Sequence, residues 1–192
     1  MSEQDLAAFR SIQWVQELLR DESFIIAEPR FRDQITEDKL FKTTLISPTR
    51  LAAFLPQYRK CQNLAGPSDV PPPVEELRLF WLLGSDLDGN PGMLHGGIVT
   101  TLLDQSMGFI VMFRGQYSGN ALKEPGRTPT VTAYLNTQFR RPVFTPAAIM
   151  VHVRLVEVLE DRKWRVEATI YDHENRPLAS GEALFVKTRA RI

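Results

Sequence analysis

The chain has 192 residues, 43% of them hydrophobic, enough to bury one sizeable core and too few for two large independent domains. Its 23 Lys and Arg balance its 23 Asp and Glu, so no overall field exists to hold a polyanion, which excludes nucleic acid as a general partner. A single cysteine, Cys61, rules out an internal disulfide framework, and His95, His152 and His173 are too scattered to form a metal site with it. A reducing setting is expected, with no metal and no cofactor.

In chain order, Ser2 to about Leu19 brings Leu6, Phe9, Val15 and Leu18 near one helical face behind a Ser2 cap, which predicts an amphipathic packing helix. This acidic start has no basic region leading into an apolar run, so no secretory signal is read, and because its acidity also weakens a mitochondrial presequence, a cytoplasmic location is expected ahead of a mitochondrial one. Residues 24–64 are irregular in pattern, with a short helix expected around Leu51 to Leu55. A Pro-rich linker from Gly66 to Pro73 completes an N-terminal extension over residues 1–73. The main unit, residues 74–192, begins with Leu77 to Leu83 (LRLFWLL), a buried strand, followed by a loop from Gly84 to Gly92 dense in Gly, Asp and Asn.

After His95, apolar residues from Ile98 to Phe113 surround a helix on every side, the pattern of a buried helix. This apolar run is shorter than the about 20 residues that cross a bilayer and contains Asp104, Gln105 and Ser106, so no stable membrane insertion is expected. Arg114 to Pro129 reads as a long loop. Thr130 to Phe139 then alternates Val131, Ala133, Leu135, Thr137 and Phe139 against Thr132, Tyr134, Asn136 and Gln138, and further strands follow at Ala148 to Val158, Trp164 to Tyr171 and Ser180 to Lys187. One strand, one central helix and a meander of four strands make an α+β plan, an antiparallel sheet wrapped around a hydrophobic helix.

Two features of that helix carry chemistry. It starts at His95-Gly96-Gly97, where glycines leave N–H groups accessible at the positive end of the helix dipole, a place suited to a developing oxyanion. Glycines also simply let a helix start close against a sheet. Asp104 is the sole ionisable residue between His95 and Arg114, and a carboxylate in an apolar helix is costly unless it is paired or used. The two lie about 10 Å apart along the axis, too far for both to reach one carbonyl. If both act on one, they come from two helices passing each other, as in a two-fold dimer with a composite site.

Gly92-Met93-Leu94-His95-Gly96-Gly97, followed by Asp104 within LLDQSMG, resembles the PaaI-like branch of hotdog-fold acyl-CoA thioesterases, in particular its mammalian long-chain acyl-CoA members and their fungal relatives. Thr130 to Asn136 is similar to that family's strand after the helix, and Phe139-Arg140-Arg141-Pro142 to its end. The resemblance covers about Leu77 to Lys187. It implies a hotdog fold, Asp104 as base or nucleophile, Thr132 helping to hold the water, and His95, Gly96 and Gly97 as the oxyanion hole. It also implies substrate contacts from Asn90, Leu94, Gln105, Arg140 and Arg141, the two arginines suiting the phosphates of CoA. Two departures stand out: the 114–129 loop is longer than in compact relatives, and Gln105 follows Asp104 where fungal relatives often carry Glu.

The function this implies is hydrolysis of an acyl-CoA, or of an acyl group on a carrier protein, by a homodimer or a dimer of dimers. The alternatives are a hotdog protein that binds an acyl group or acts on a carrier-bound polyketide without simple hydrolysis, and a regulatory protein that holds a partner through its N-terminal extension. His152 and His173, with no acidic neighbour at readable spacing, are expected to pack and to face solvent.

Overall fold

Leu77, Leu79, Trp81 and Leu83 alternate along β3 (Glu76–Leu83) and are buried on one face, while Phe80 is buried on the other. This strand therefore stands between two apolar layers. A computed structural model of the chain describes residues 3–27, 39–59, 74–117, 130–160 and 162–188. Cys61, the Gly66 to Pro73 linker and most of the 114–129 loop lie outside the described residues.

The inner layer is built on α3 (Gly96–Tyr117), whose Val99, Leu102, Leu103, Met107, Phe109, Ile110 and Phe113 are buried against the sheet. Trp81 anchors this layer. Its ring lies 4.3 Å from that of Phe54, which stacks at 5.2 Å on Phe109, and its indole N–H points at Ser106 Oγ, 3.4 Å away. The helical run Gly96–Arg114, 19 residues, is longer than the apolar stretch read from the sequence and is long and apolar enough to cross a bilayer by length and composition alone. Here the sheet packs against it.

The sheet has seven strands: β1 (Phe24–Ile26), β2 (Leu51–Arg59), β3, β7 (Ala147–Leu159), β8 (Lys163–Tyr171), β9 (Pro177–Lys187) and β6 (Thr130–Phe139), in that order and with every pair antiparallel. This is the hotdog arrangement. A small hairpin of β4 (Asp88–Asn90) and β5 (Met93–Leu94) precedes α3.

Several expectations need correction. Leu51 to Leu55 is strand, not helix, and it pairs with β3, so the sheet runs across the division drawn at residue 73. Pro56 within this strand and the paired alanines hid it, since Pro is rare in strand interiors. The four-strand meander is three, because β6 pairs with β9 at the far edge rather than with β7. α3 runs on to Tyr117, past the loop start read at Arg114. Finally α3 is not enclosed: Gly97 is exposed and Thr101, Asp104, Gln105 and Gly108 are half-buried, an open stripe at helical spacing.

The helix expected over residues 2–19 is two, α1 (Glu3–Phe9) and α2 (Gln13–Leu19). Phe9 and Val15 remain fully buried in a second apolar layer with Ala53, Leu55, Phe80 and Met150, so the helices cover the outer face of β2, β3 and β7. Beside them lies a polar cluster. Glu76 accepts from Arg59 and lies 2.7 Å from His152 Nε2, which gives His152 the acidic partner that its sequence neighbourhood lacks. Burial pushes the Glu76 carboxyl up, but hydrogen bonds from Arg59 and His152 outweigh it and hold the group below its ordinary 4.5. His173 is exposed, 3.8 Å from Glu174.

Candidate active site

α3 begins with His95 as its cap: the His95 carbonyl accepts from the N–H groups of Ile98 and Val99 at 2.9 and 3.1 Å. Its ring completes the cap, since the Gly97 N–H donates to His95 Nδ1 at 3.0 Å. An Nδ1 that accepts belongs to a neutral imidazole with its proton on Nε2. The Gly97 amide is thus not the open donor that the glycine pair suggested. The Gly96 N–H has no acceptor among the described residues, and Gly96 and Gly97 are both exposed. The His95 ring fits here because Gly89 and Gly97 lack side chains: a Cβ at either would stand about 3.0 to 3.1 Å from it.

Gly96 opens into a cleft of about 360 Å³ whose walls include Asn90, Leu94, Phe139, Arg140 and Arg141. Four of the five residues expected to bind substrate therefore meet in one place. Both arginines are exposed and their positions are fixed by backbone, because both N–H groups donate to the Leu178 carbonyl at 2.8 and 2.9 Å. The Arg141 guanidinium donates to Pro177 O at 2.9 Å, and that of Arg140 reaches Gln138 Oε1 at 3.3 Å and Ser180 Oγ at 3.4 Å. Among the described residues no carboxylate pairs with either, so both charges face an incoming anion.

Asp104 is elsewhere. It lies two turns along α3, about 12 Å from Gly96 by the helical rise, on the open stripe with Gln105, the one expected substrate contact that the cleft omits. Thr132 Oγ1 donates to Asp104 Oδ1 at 2.8 Å. A break in the β6 alternation makes this bond possible: Thr132 pairs with Phe185 and Tyr134 with Leu184, leaving Ala133 as an extra residue. Strict alternation sets Thr132 opposite Leu135 and Thr137. The bulge returns it to the helix-facing side, which it shares with its partner Phe185, a buried residue beside Gly108.

One chain therefore holds two separate features: a cleft with an open amide and two cations, and a carboxylate held by a hydroxyl on an open helix face. Phe139 was legible as part of the Phe-x-Arg-Pro run but not as the ring that covers Gly96, where an added Cβ would meet it at 3.5 Å. Asp88, whose carboxylate accepts from the Gly92 N–H at 2.9 Å and from Thr145, was read as loop. An Asp before Gly-Asn-Pro-Gly signals such a turn. No sequence feature marks Thr145.

Similar proteins agree with this architecture. A family model described as the thioesterase superfamily matches residues 91–189. Verlamelin biosynthesis protein B of a Lecanicillium species is 24% identical over 177 residues, covering 81% of this chain and 77% of that protein. The rat acyl-coenzyme A thioesterase THEM4 is 29% identical over 105 residues, covering 54% of this chain and 40% of the enzyme, so the chain spans less than half of that relative's length. The fold is shared with the Escherichia coli PaaI protein from the phenylacetic acid degradation operon (12% identical, TM-score 0.50, covering 61% of this chain and 75% of that one). With its helix, sheet and 91–189 segment all matching, the chain belongs to the thioesterase superfamily.

Proposed function

We propose that the protein hydrolyses acyl-CoA thioesters, as a dimer in which the cleft of one subunit faces Asp104 of the other. The observation that carries this reading is the Thr132 to Asp104 hydrogen bond at 2.8 Å on an open helix face, a carboxylate with no cationic partner among the described residues. In the reaction Asp104 takes a proton from water, whose oxygen attacks the thioester carbonyl. The tetrahedral oxyanion is met by the Gly96 N–H, the His95 imidazole and the helix dipole, and the C–S bond breaks to release the acid and CoA. Direct attack by the carboxylate, through an anhydride, gives the same products. Arg140 and Arg141 hold the phosphates of CoA.

The dimer is supported by what a single chain leaves uncovered. β6 is an edge strand of ten residues, nearly all exposed, with Val131 46% and Phe139 60% accessible. Long bare edges of this kind are normally paired or covered. A second reading, acyl-group handling within a biosynthetic route, is favoured by the likeness to verlamelin biosynthesis protein B, which extends across 81% of the chain. A panel of acyl-CoA esters assayed by release of free thiol separates the two. Turnover supports hydrolysis, whereas binding without turnover favours the second.

A further inference from the structure

The cleft has two walls from distant parts of the chain, the β4–β5 hairpin with Asn90 and Leu94 and the 139–143 segment with both arginines. Their floor is pinned by the Leu94 N–H donating to Val143 O at 2.9 Å. The hairpin turn above it is different, since Gly89, Asn90 and Pro91 are exposed and apolar packing does little to place them. What places them is a closed ring of hydrogen bonds. Asp88 accepts from the Gly92 N–H at 2.9 Å, the Gly92 carbonyl accepts from the Thr145 N–H at 3.1 Å, and the Thr145 hydroxyl donates back to Asp88. Gly92 closes the turn at φ +73°, open to glycine at no steric cost.

We infer that Asp88 and Thr145 are positioning residues that fix the separation of the two cleft walls and so set affinity for the CoA portion of the substrate. This rests on the acyl-CoA reading above. Neither residue lines the cleft, so changing them removes no contact with substrate. Thr145→Val keeps the side chain's shape and deletes the hydroxyl, Asp88→Asn leaves one acceptor oxygen where two are used, and Thr145→Ser retains the bond.

The test combines steady-state kinetics on the best acyl-CoA of the panel with amide hydrogen exchange. Thr145→Val and Asp88→Asn should each raise KM about tenfold, the scale of one charge-assisted hydrogen bond, with kcat within about twofold, as for lost uniform binding. Thr145→Ser should stay near wild type. Amides of residues 89–94 should exchange faster in Thr145→Val while those of β9 do not change. Unchanged exchange, an unchanged KM, or a Thr145→Ser protein as impaired as Thr145→Val would overturn the inference. A wild-type protein that hydrolyses no acyl-CoA would sink the functional reading alone, and exchange at 89–94 would still judge the hydrogen-bonded ring.

Discussion

Asp104 lies on α3 and His95 caps it, and they differ in what holds them, a hydroxyl from β6 in one case and the helix's own first turn in the other. Asp104 keeps one oxygen against the Thr132 hydroxyl and is itself only half-buried. Asp104→Asn preserves size and much of the hydrogen bonding but removes the base, so kcat should fall on the order of 10²-fold with the melting temperature nearly unchanged. A structural Asp104 would give the opposite pattern, lower stability with activity kept in the folded fraction. For His95 the cap and the imidazole are separable, because Asn is itself a strong N-cap. His95→Asn should hold the helix start, seen as an unchanged melting temperature, while lowering kcat about tenfold or more through loss of the Nε2–H donor. Full activity in that variant would confine His95 to capping.

At the scale of elements, the β6 bulge is the device that joins strand to helix chemistry. Ala133 is the unpaired residue, so deleting it leaves Thr132 opposite Phe185 on the helix-facing side and should keep activity, whereas Thr132→Val removes the hydroxyl that holds Asp104 and should lower kcat about tenfold while circular dichroism stays that of the wild type. A fully active Thr132→Val variant would mean that Thr132 is dispensable. The Arg59, Glu76 and His152 cluster ties β2, β3 and β7 on the outer face. Because the folded Glu76 pKa lies below its ordinary 4.5, its stabilisation is complete above that value and is lost as pH falls through the folded pKa. Glu76→Gln should therefore cost about 1 kcal/mol at pH 7 by denaturant unfolding, and the gap between the two proteins should close as pH falls through the lowered folded pKa of Glu76.

These elements also mark where sequence is readable. β3, α3 and β6 stand out because their apolar periods are long and uninterrupted, and His95, Gly96 and Asp104 because they punctuate one such run. β2 does not, since Pro56 and the alanines weaken its strand signature and its partner β3 lies beyond a long intervening segment. The bulge at Ala133 leaves the alternation of residue types intact and is a property of pairing with β9. Glu76 and His152 are 76 residues apart, so their pairing depends on a register that only the sheet supplies.

For the whole molecule, the proposed two-fold dimer accounts together for an apolar helix with one uncovered stripe, a bare edge strand, and a cleft and carboxylate about 12 Å apart by helical rise. Light scattering should find no active monomer. The most direct measurement of the composite site is complementation between two inactive variants. Asp104→Asn disables one half-site. Gly96→Pro disables the other, removing the open N–H at the first helical position, where proline is well tolerated, and the Cβ it adds meets Phe139 at ordinary contact distance. Each homodimer should be inactive, whereas the isolated heterodimer holds one intact site and should recover roughly half the wild-type kcat. A folded, stably paired heterodimer with no recovered activity would contradict the account.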